Sequence, residues 1–455
     1  MNITLNYGRG GLEITVPSGV RADVVRKPAM PVLVDPQAAV VDALSAKHRV
    51  DAPTRVHSAG QLQERTDDSL ADSIAGTDRF GWANGCKSAC IAICDITRPV
   101  PNHLFLRPII EVLLDQGMDK QDITVLVATG LHRPNEGKEL EELVGDSWVL
   151  ENIQIKNHDA RNDADHVLVG ETPTRGTVVR LNRAFVQADL RIATGLVEPH
   201  FMAGYSGGRK VISPGLAHAE TITTFHSSRF MADPAARSCN LLNNPLHEEQ
   251  LEIVKLIGGA MGLNTVIDEK RQLSFINFGE IIDAHAQAVD YVRQYCEVAV
   301  PRRYKTVVTS ASGYPLDKTY YQTIKGMVGA MNILEPGGDL IIASECSEGF
   351  GSPEFVESQR RLADLGPTAF LKSLLKKSHA DIDEWQSQMQ LKPMAVGNIQ
   401  LYCPQLTEQE WSLTAVERTD SVGRAISESV KRQGDSVIAV IPEGPYVEPS
   451  VQPCN

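Results

Sequence analysis

The sequence predicts an α/β protein with two α/β domains, mainly parallel sheets and a cleft between the domains. Compact apolar runs that end in Gly, Asp or Thr alternate with helix-like segments from about residue 88 onward. Short buried strands that alternate with helices are typical of a parallel sheet covered on both faces. The runs are CIAICD, ITVLVATG and DLRIATGLV, followed by TVVTSAS, DLIIAS, NIQLYC and SVIAVIPEG. At 455 residues, the chain also exceeds what one hydrophobic core usually organises.

The segment 298–305, VAVPRRYK, is the expected domain boundary. It separates an N-terminal α/β domain (1–300) from a C-terminal α/β domain (301–440). Residues 1–60 begin with strand-like alternation and continue as a linker rich in Pro, Asp and Ala, whereas the Pro-rich residues 441–455 are expected to be a frayed tail. Because ligands usually bind between domains, we expect an active-site cleft at this junction.

Composition and charge exclude several classes of protein. The net charge of −13 argues against nucleic acid as a partner, since binding to phosphate backbones relies on clustered Lys and Arg. No apolar run approaches the roughly 18 residues of a membrane span, and the amino terminus lacks a signal-peptide core. The eight cysteines include no C-x-x-C pair and are expected to be reduced. A cytoplasmic location without membrane contact is therefore expected.

Chemically reactive side chains follow four of the predicted strands. Ligands of α/β sheets collect beyond the carboxyl ends of the strands, so these side chains are expected at one rim. They are Asp95, Thr97 and Arg98 after the first strand, His132 after the second, His200 after the third, and Tyr321, Gln322 and Lys325 after the fourth. Each signal alone is weak, and their coincidence at one rim is the stronger indication of a site.

The stretch 197–215, VEPHFMAGYSGGRKVISPG, places glycines before a lysine. Successive glycines let backbone N–H groups converge on a phosphate. A P-loop is excluded, because Arg209 and Val211 occupy positions where that motif requires Gly and Ser or Thr. Lys210 beside Arg209 has a reason for a lowered pKa and hence for nucleophilicity, although a solvated lysine in a basic turn is the simpler interpretation.

The histidines that do not follow a predicted strand give weaker indications of function. His226 follows on a predicted helix, where a lone histidine is usually structural but can also bind a metal whose other ligands come from a cofactor. His218 on the same helix is expected to be structural. His285 lies on the apolar stripe of a helix predicted over 279–297, so it is expected in the core.

Several of these motifs together resemble the nickel-pincer lactate racemase family of 2-hydroxyacid racemases and epimerases. The resemblance runs in order over residues 85–330 and more weakly to about 440. It is carried by DITRPVP, ATGLHRP, EPHFMAGYSGGRKVISPG, TTFHS and YPLDKTYYQTIKG. It implies a nickel-pincer nucleotide, pyridinium-3-thioamide-5-thiocarboxylic acid mononucleotide, tethered covalently to Lys210. His226 matches the histidine that ligates nickel beside the two sulfurs and one carbon of the pincer.

The resemblance also implies roles for the remaining site residues. His132 and His200 match two catalytic histidines, one for each enantiomer, in a proton-coupled hydride transfer. The expected substrate contacts are Arg98, Tyr321, Gln322 and Lys325. The expected cofactor contacts are Asp95, Thr97, Ser206, Gly207, Gly208, Lys210 and Trp385. Proteins that mature the cofactor are implied as partners, together with a small 2-hydroxy acid as substrate.

Two alternative functions remain open at this stage. The first is a nucleotide-dependent transferase or ligase, which the glycine loop also suits. The second is a non-enzymatic protein that binds nickel or hydroxy acids, which would use the same histidine and cationic side chains. The substrate itself stays undetermined between lactate-like, malate-like and sugar acids. Lys318, Arg133 and Arg209 suit a second carboxylate, although each is more simply explained as a surface or phosphate contact. Thr319, Tyr320 and Tyr321 suit a hydroxylated substrate equally well.

Overall fold

A computed structural model describes residues 1–45 and 80–451 of the chain. Its strands are β1 (Asn2–Leu5), β2 (Leu12–Thr15), β3 (Arg21–Val24), β4 (Ala89–Cys94), β5 (Ile123–Ala128), β6 (Gln154–Asn157), β7 (His166–Glu171), β8 (Val178–Asn182), β9 (Leu190–Leu196), β10 (Pro199–His200), β11 (Gly204–Tyr205), β12 (Met261–Ile267), β13 (Leu273–Glu280), β14 (Glu297–Val300), β15 (Tyr304–Ser310), β16 (Leu334–Ala343), β17 (Asn398–Tyr402), β18 (Glu417–Arg418), β19 (Val437–Ile441) and β20 (Glu448–Val451).

The α-helices lie between these strands and cover the sheets. They are α1 (Pro36–Ser45), α2 (Asn102–Asp115), α3 (Gly137–Val144), α4 (Ser147–Asn152), α5 (Arg183–Gln187), α6 (Arg209–Ile212), α7 (Ala219–Phe225), α8 (Ser228–Met231), α9 (Pro245–Leu256), α10 (Ile281–Cys296), α11 (Tyr320–Ala330), α12 (Pro353–Leu365), α13 (Pro367–Leu374), α14 (Glu384–Val396), α15 (Glu408–Trp411) and α16 (Val422–Gln433). None of the helices in the described part of the chain is long and apolar enough to cross a membrane.

The first six-stranded sheet has the order β13-β12-β9-β4-β5-β6. All of its pairs are parallel except β12 with β13. Every residue of β9 is buried, as expected for a strand covered on both faces. Because β9, β4 and β5 are neighbours, their carboxyl ends bring Asp95, His132 and His200 to one edge. The strands predicted in this region are confirmed.

The second six-stranded sheet is wholly parallel and has the order β18-β17-β16-β15-β19-β3. The predicted α/β class with two domains and mainly parallel sheets is therefore confirmed. One strand departs from the expected division of the chain, because β3 lies at residues 21–24 and pairs with β19 of this second sheet. Strand β3 is thus held by a partner strand more than 400 residues away in the sequence. The domain boundaries at residues 300 and 440 stay a prediction.

The helix predicted over residues 279–297 is confirmed as α10. The Glu280 side chain accepts hydrogen bonds from the N–H groups of Ile282 and Asp283 and so begins the helix. His285 is buried on its core face, as expected. The seven cysteines that the structure describes are free, in agreement with the expectation of reduced thiols, and Cys454 lies outside the described residues.

The carboxyl-terminal segment corrects one expectation. Residues 441–455 were expected to be frayed, yet β20 pairs in parallel with β14, and Val447 is fully buried. A Pro-rich sequence gives little local strand signal, so only pairing with a distant strand orders this segment. Residues 452–455 and the linker expected up to residue 60 lie wholly or partly outside the described residues.

Removing this segment tests its structural contribution. A chain ending at Ile441 is expected to lose about 3 kcal/mol or more of unfolding free energy relative to one ending at Val451, because it loses a buried valine and a strand pair. Chemical denaturation of both chains measures the difference. Equal transition midpoints would contradict an ordered β20.

Candidate functional site

A cavity of about 160 Å³ lies where the carboxyl ends of the two sheets face each other. It collects nearly all of the side chains that the sequence singled out. The predicted residues that line it are Asp95, Thr97, Arg98, His132, His200, Ser206, Gly207, Lys210, His226, Tyr321, Gln322, Lys325 and Trp385. Gly208 alone among the predicted contacts does not line the cavity. Residues from both domains therefore form one site.

His132 is oriented by the carboxylate of Asp95. Its Nδ1 lies 2.5 Å from Asp95 Oδ2, while Thr97 donates to Asp95 Oδ1 through its N–H at 3.2 Å and its hydroxyl at 2.5 Å. Burial opposes charge on His132, but the charge and hydrogen bond of Asp95 outweigh it and raise the pKa of the imidazole. With Nδ1 bound to a carboxylate, the neutral ring keeps a free electron pair on Nε2, as a general base requires.

His200 has the opposite setting. It is 6% exposed, and its Nδ1 accepts hydrogen bonds from the N–H groups of Ala203 at 3.2 Å and Met202 at 3.4 Å. Burial, together with the positive charges of Lys210 and Arg98, lowers the pKa of His200 well below its ordinary value. This histidine is therefore neutral in the free protein.

Lys210 is the second residue of the short helix α6, which directly follows the glycine turn. Burial, reinforced by the charges of Arg98 and Arg209, lowers the pKa of its ammonium to about 7. A large share of this amine is therefore unprotonated at neutral pH, and an unprotonated amine is the nucleophilic form. The setting of Lys210 agrees with the lowered pKa for which the sequence provides a reason, and not with the solvated lysine that was the simpler interpretation.

Arg209 stabilises the loop that contains the glycine turn, and its side chain does not line the cavity. It is 1% exposed, and its guanidinium donates to the carbonyls of Ala203 at 3.0 Å and Tyr205 at 3.1 Å. It also lies 2.9 Å from Nε2 of His285, and its Nε donates to His247. Arg209 is therefore a structural anchor of the loop, which corrects its suggested place among contacts for a second carboxylate.

Gly208 is required by packing. Its φ of +48° is rarely adopted by other residues, and a Cβ there would lie 2.7 Å from the His285 ring. Gly207, also at positive φ, lines the cavity. The N–H groups of these two glycines donate no hydrogen bond within the described part of the chain, so they remain available to an anion.

His226 ends helix α7 with one ring nitrogen occupied. Its Nδ1 bonds the carbonyl of Ile222 at 2.9 Å, which leaves the electron pair of Nε2 free. Burial, reinforced by the charge of Lys210, lowers the pKa of His226 to about 3, so the ring is neutral, as a metal ligand must be. The Trp385 ring lies 4.8 Å from the His226 ring, and Trp385 Nε1 donates to the Tyr321 hydroxyl at 3.2 Å.

A metal bound at His226 needs donors from elsewhere. Among residues 1–45 and 80–451, no group of three or more His, Cys, Asp or Glu side chains is arranged to hold a metal ion. The predicted interpretation of His226 as a single protein donor is compatible with this arrangement. The remaining ligands would then belong to a bound group.

Positive charges cluster in the cavity. Arg98 forms an ion pair with Glu198, and Lys325 lies 5.9 Å from the centre of the Phe201 ring. Burial and the charge of Arg98 lower the pKa of Lys325 well below its ordinary value. An anion bound beside Arg98, Lys210 and Lys325 would favour the protonated forms of both lysines, so the cavity suits a small anion.

The other cations that suited a second carboxylate are paired away from the cavity. Arg133 forms a bidentate pair with Glu139 at 2.8 and 2.9 Å, and Lys318 lies 2.5 Å from Glu348. Of the polar trio suggested for a hydroxylated substrate, only Tyr321 lines the cavity. Tyr320 is buried and donates to the carbonyl of Thr414.

Sequence reasoning missed one acidic residue of the cavity, Asp383. It precedes helix α14 with a φ of +62°, and the Ser352 hydroxyl donates to its carboxyl group at 2.5 Å. Burial raises its pKa. No predicted strand ends near Asp383, so strand-end analysis had no signal for it. Its neighbour Trp385 was the only indication of a site in this segment.

Fold and cavity together define an α/β protein in which histidines, lysines and an arginine from both domains line one cavity. Comparison with known proteins identifies the family. The lactate racemase N-terminal domain matches residues 47–239, and the lactate racemase C-terminal domain matches residues 301–447. The chain belongs to the lactate racemase family, which is a family of isomerases, and both expectations are confirmed.

Two named relatives cover most of the chain. The lactate racemase of Thermoanaerobacterium thermosaccharolyticum is 34% identical over 378 residues, or 81% of this chain and 86% of the relative. The lactate racemase of Lactiplantibacillus plantarum is 29% identical over 400 residues, or 85% of this chain and 91% of the relative. The similarity thus extends across both domains.

Solved structures share the architecture. The lactate racemase apoprotein from Thermoanaerobacterium thermosaccharolyticum superposes with a TM-score of 0.83 at 28% identity and covers all of both chains. A Thermotoga maritima protein has a TM-score of 0.64 at 18% identity, covering 82% of this chain and 97% of its own, and supports the fold alone.

The pair formed by Asp95 and His132 makes a testable prediction about proton binding. In the ligand-free protein, NMR titration is expected to show His132 losing its proton above the ordinary value of about 6.5. Asp95→Asn is expected to lower that pKa, because it removes the stabilising charge. Since the folded pKa is raised, the pair stabilises the fold most below pH 6.5, and this contribution disappears as the pH rises through the folded pKa.

Glu139→Gln is the matched control for this titration. It removes a carboxylate that binds the adjacent residue Arg133 and does not contact His132. The control is expected to leave the His132 titration unchanged. An unchanged titration in Asp95→Asn would contradict the assigned pairing.

Proposed function

We propose that this protein is a racemase or epimerase of a small 2-hydroxy acid, as the names of its lactate racemase relatives suggest. The observation that carries the proposal is that one cavity contains two histidines with different hydrogen-bond partners, His132 and His200, together with Lys210. The pKa of that lysine is lowered. A nucleotide-dependent transferase or a simple binding protein has no need of two such histidines.

A nickel-pincer nucleotide fits the residues of this cavity. Lys210 offers an amine with a lowered pKa for the covalent tether, and His226 offers an unprotonated Nε2 for nickel. Gly207, which lines the cavity, leaves its N–H group available for a phosphate, and Trp385 lies against the His226 ring. When bound, such a group supplies a hydride acceptor, so that the substrate can become a planar 2-keto acid and then be reduced from its other face.

The chain itself binds the substrate and moves its proton. Arg98 and Lys325 attract the carboxylate, and Glu198 keeps Arg98 in place until the substrate carboxylate replaces it as a partner. Loss of the α-hydrogen as a proton would put a second negative charge beside that carboxylate, so transfer with its electron pair is favoured. His132 takes the hydroxyl proton at Nε2 while Asp95 stabilises the resulting imidazolium.

His200 is proposed as the second acid–base group of the reaction, the role that the family resemblance implies for it. Inversion of the carbon requires proton transfer on two sides, since the hydroxyl groups of the two enantiomers lie in different directions. His200 comes from the strand end next to that of Asp95 and lines the same cavity as His132. We therefore assign one histidine to each enantiomer.

Substitution of the two histidines tests these roles. His132→Ala and His200→Ala are each expected to lower the rate of racemisation by about 10²–10⁴-fold, because each removes an acid–base group. Chiral chromatography after incubation of the cofactor-loaded enzyme with single-enantiomer 2-hydroxy acids measures the rate. His379→Ala, at an exposed histidine outside the cavity, is the control and should keep full activity. Full activity in either cavity variant would remove that histidine from the mechanism.

The tether has a readout that does not depend on turnover. Protein matured together with the cofactor-producing proteins is expected to carry a covalent group of mononucleotide size on the peptide containing Lys210, with nickel equimolar to the chain. Lys210→Ala should carry neither, whereas the control Lys318→Ala, at a lysine paired with Glu348, should carry both. Intact-mass and metal analysis provide the measurements. A wild-type protein that interconverts enantiomers without an adduct or nickel would refute the assignment.

A further inference from the structure

Two cysteine side chains from distant parts of the chain lie in contact. The Sγ atom of Cys239 is 3.9 Å from the Sγ atom of Cys296, although the residues are 57 positions apart in the sequence. Both belong to one apolar cluster that also contains the buried side chain of Tyr205. A disulfide bond needs about 2.0 Å between its sulfur atoms, so the two thiols have to approach by about 2 Å to form one.

The approach can come from the segment that contains Cys239. This residue lies in the irregular stretch between α8 and α9 and has a φ of +54°. Cys296 is the last residue of α10, where the hydrogen bonds of the helix hold the backbone. Irregular segments move at a lower cost in free energy than a helix packed on the core. Movement of Cys239 toward a fixed Cys296 is therefore the simplest route to a bond.

A small oxidant can reach the pair. Cys296 lines a cavity of about 370 Å³ next to the amino-terminal hairpin loop. This cavity reaches the surface, because its lining includes the exposed residues Arg9, Glu269 and Arg271. Cys239 is itself only partly buried. A molecule little larger than water, such as hydrogen peroxide, fits a space of this size.

The two sulfur atoms have different roles. The hydrogen bond to Cys296 and burial raise the pKa of Cys239. Cys239 therefore keeps its proton and donates it in the hydrogen bond between the two sulfur atoms, while the thiolate forms at Cys296. A thiolate is the form that attacks an oxidant, and the S–H group beside it stabilises its negative charge.

We infer that Cys239 and Cys296 are a site of oxidative modification, at which a peroxide converts the two thiols to an intramolecular disulfide. The Cys296 thiolate attacks one oxygen of hydrogen peroxide, the O–O bond breaks, and the departing hydroxide takes up a proton. The Cys239 sulfur then attacks the sulfenic acid of Cys296. The S–S bond forms as the S–O bond breaks, and the Cys239 proton leaves with the hydroxyl group as water. The two thiols lose two electrons, and the peroxide gains them and becomes two water molecules.

The disulfide joins two elements that hold the loop before Lys210. The N–H group of Cys239 donates to the carbonyl of Gly204 at 3.0 Å, and α10 places His285 where it excludes a side chain at Gly208. The bond therefore links the supports at both ends of the segment 204–208. Formation of the bond needs no turnover, so the inference is independent of the proposed racemase.

Peptide mapping of the oxidised full-length protein tests the site. Reduced wild-type protein is treated with hydrogen peroxide, its remaining thiols are blocked with N-ethylmaleimide, and it is digested with trypsin without reduction. We expect the peptides 238–255 and 294–302 to be joined, with two hydrogens fewer than their sum, and to separate in dithiothreitol. The melting temperature is expected to rise by about 5 °C, because the bond closes a long loop of the unfolded chain.

Three serine variants make the result specific to this pair. Cys239→Ser and Cys296→Ser should each abolish both the joined peptide and the rise in melting temperature. Cys86→Ser, at another partly buried cysteine, is the matched control and should retain both. Blocked or irreversibly oxidised thiols at both positions of the wild type, without a joined peptide, would overturn the inference. A joined peptide with an unchanged melting temperature would overturn the proposed support of the loop, and neither result would affect the proposed racemase.

Discussion

The site depends on the confinement of several basic side chains in one buried cavity. Arg98, Lys210 and Lys325 repel one another there, and burial weakens the hydration that would otherwise compensate. The same two effects keep the Lys210 amine nucleophilic and the ring of His226 neutral. Removing one cation should therefore change the protonation of its neighbours as well as remove a contact. Charge and burial prepare the cavity for an anionic substrate before any ligand is bound.

Packing behind the cavity makes this confinement possible. Arg209 is fully buried, and its hydrogen bonds to loop carbonyls and to His285 fix the turn that precedes Lys210. His285 in turn leaves no space for a side chain at residue 208. The glycine turn is thus shaped by two residues that do not reach the cavity. A stretch of sequence that first suggests phosphate binding also has to satisfy a core requirement.

Residues late in the chain complete the site. Trp385 packs against His226, and Glu448 lines a small cavity that His200 also lines. Both residues belong to segments whose sequences give little indication of secondary structure or of a functional site. Strand β20 is ordered by pairing with β14, and α14 is a helix that is buried throughout residues 384–391, three of which are glutamines. Their importance becomes visible only when the two domains are seen together.

The α/β class, the strands β4, β5 and β9, and the functional candidates at their carboxyl ends follow from the amino-acid sequence. They do so because buried parallel strands have a local apolar signature, and ligands bind beyond their ends. Only the folded chain shows that Asp383 and Glu448 line cavities, that Arg209 is structural, and that the carboxyl-terminal segment is ordered. These outcomes depend on contacts between residues far apart in the chain, and such contacts leave no periodic pattern in the sequence.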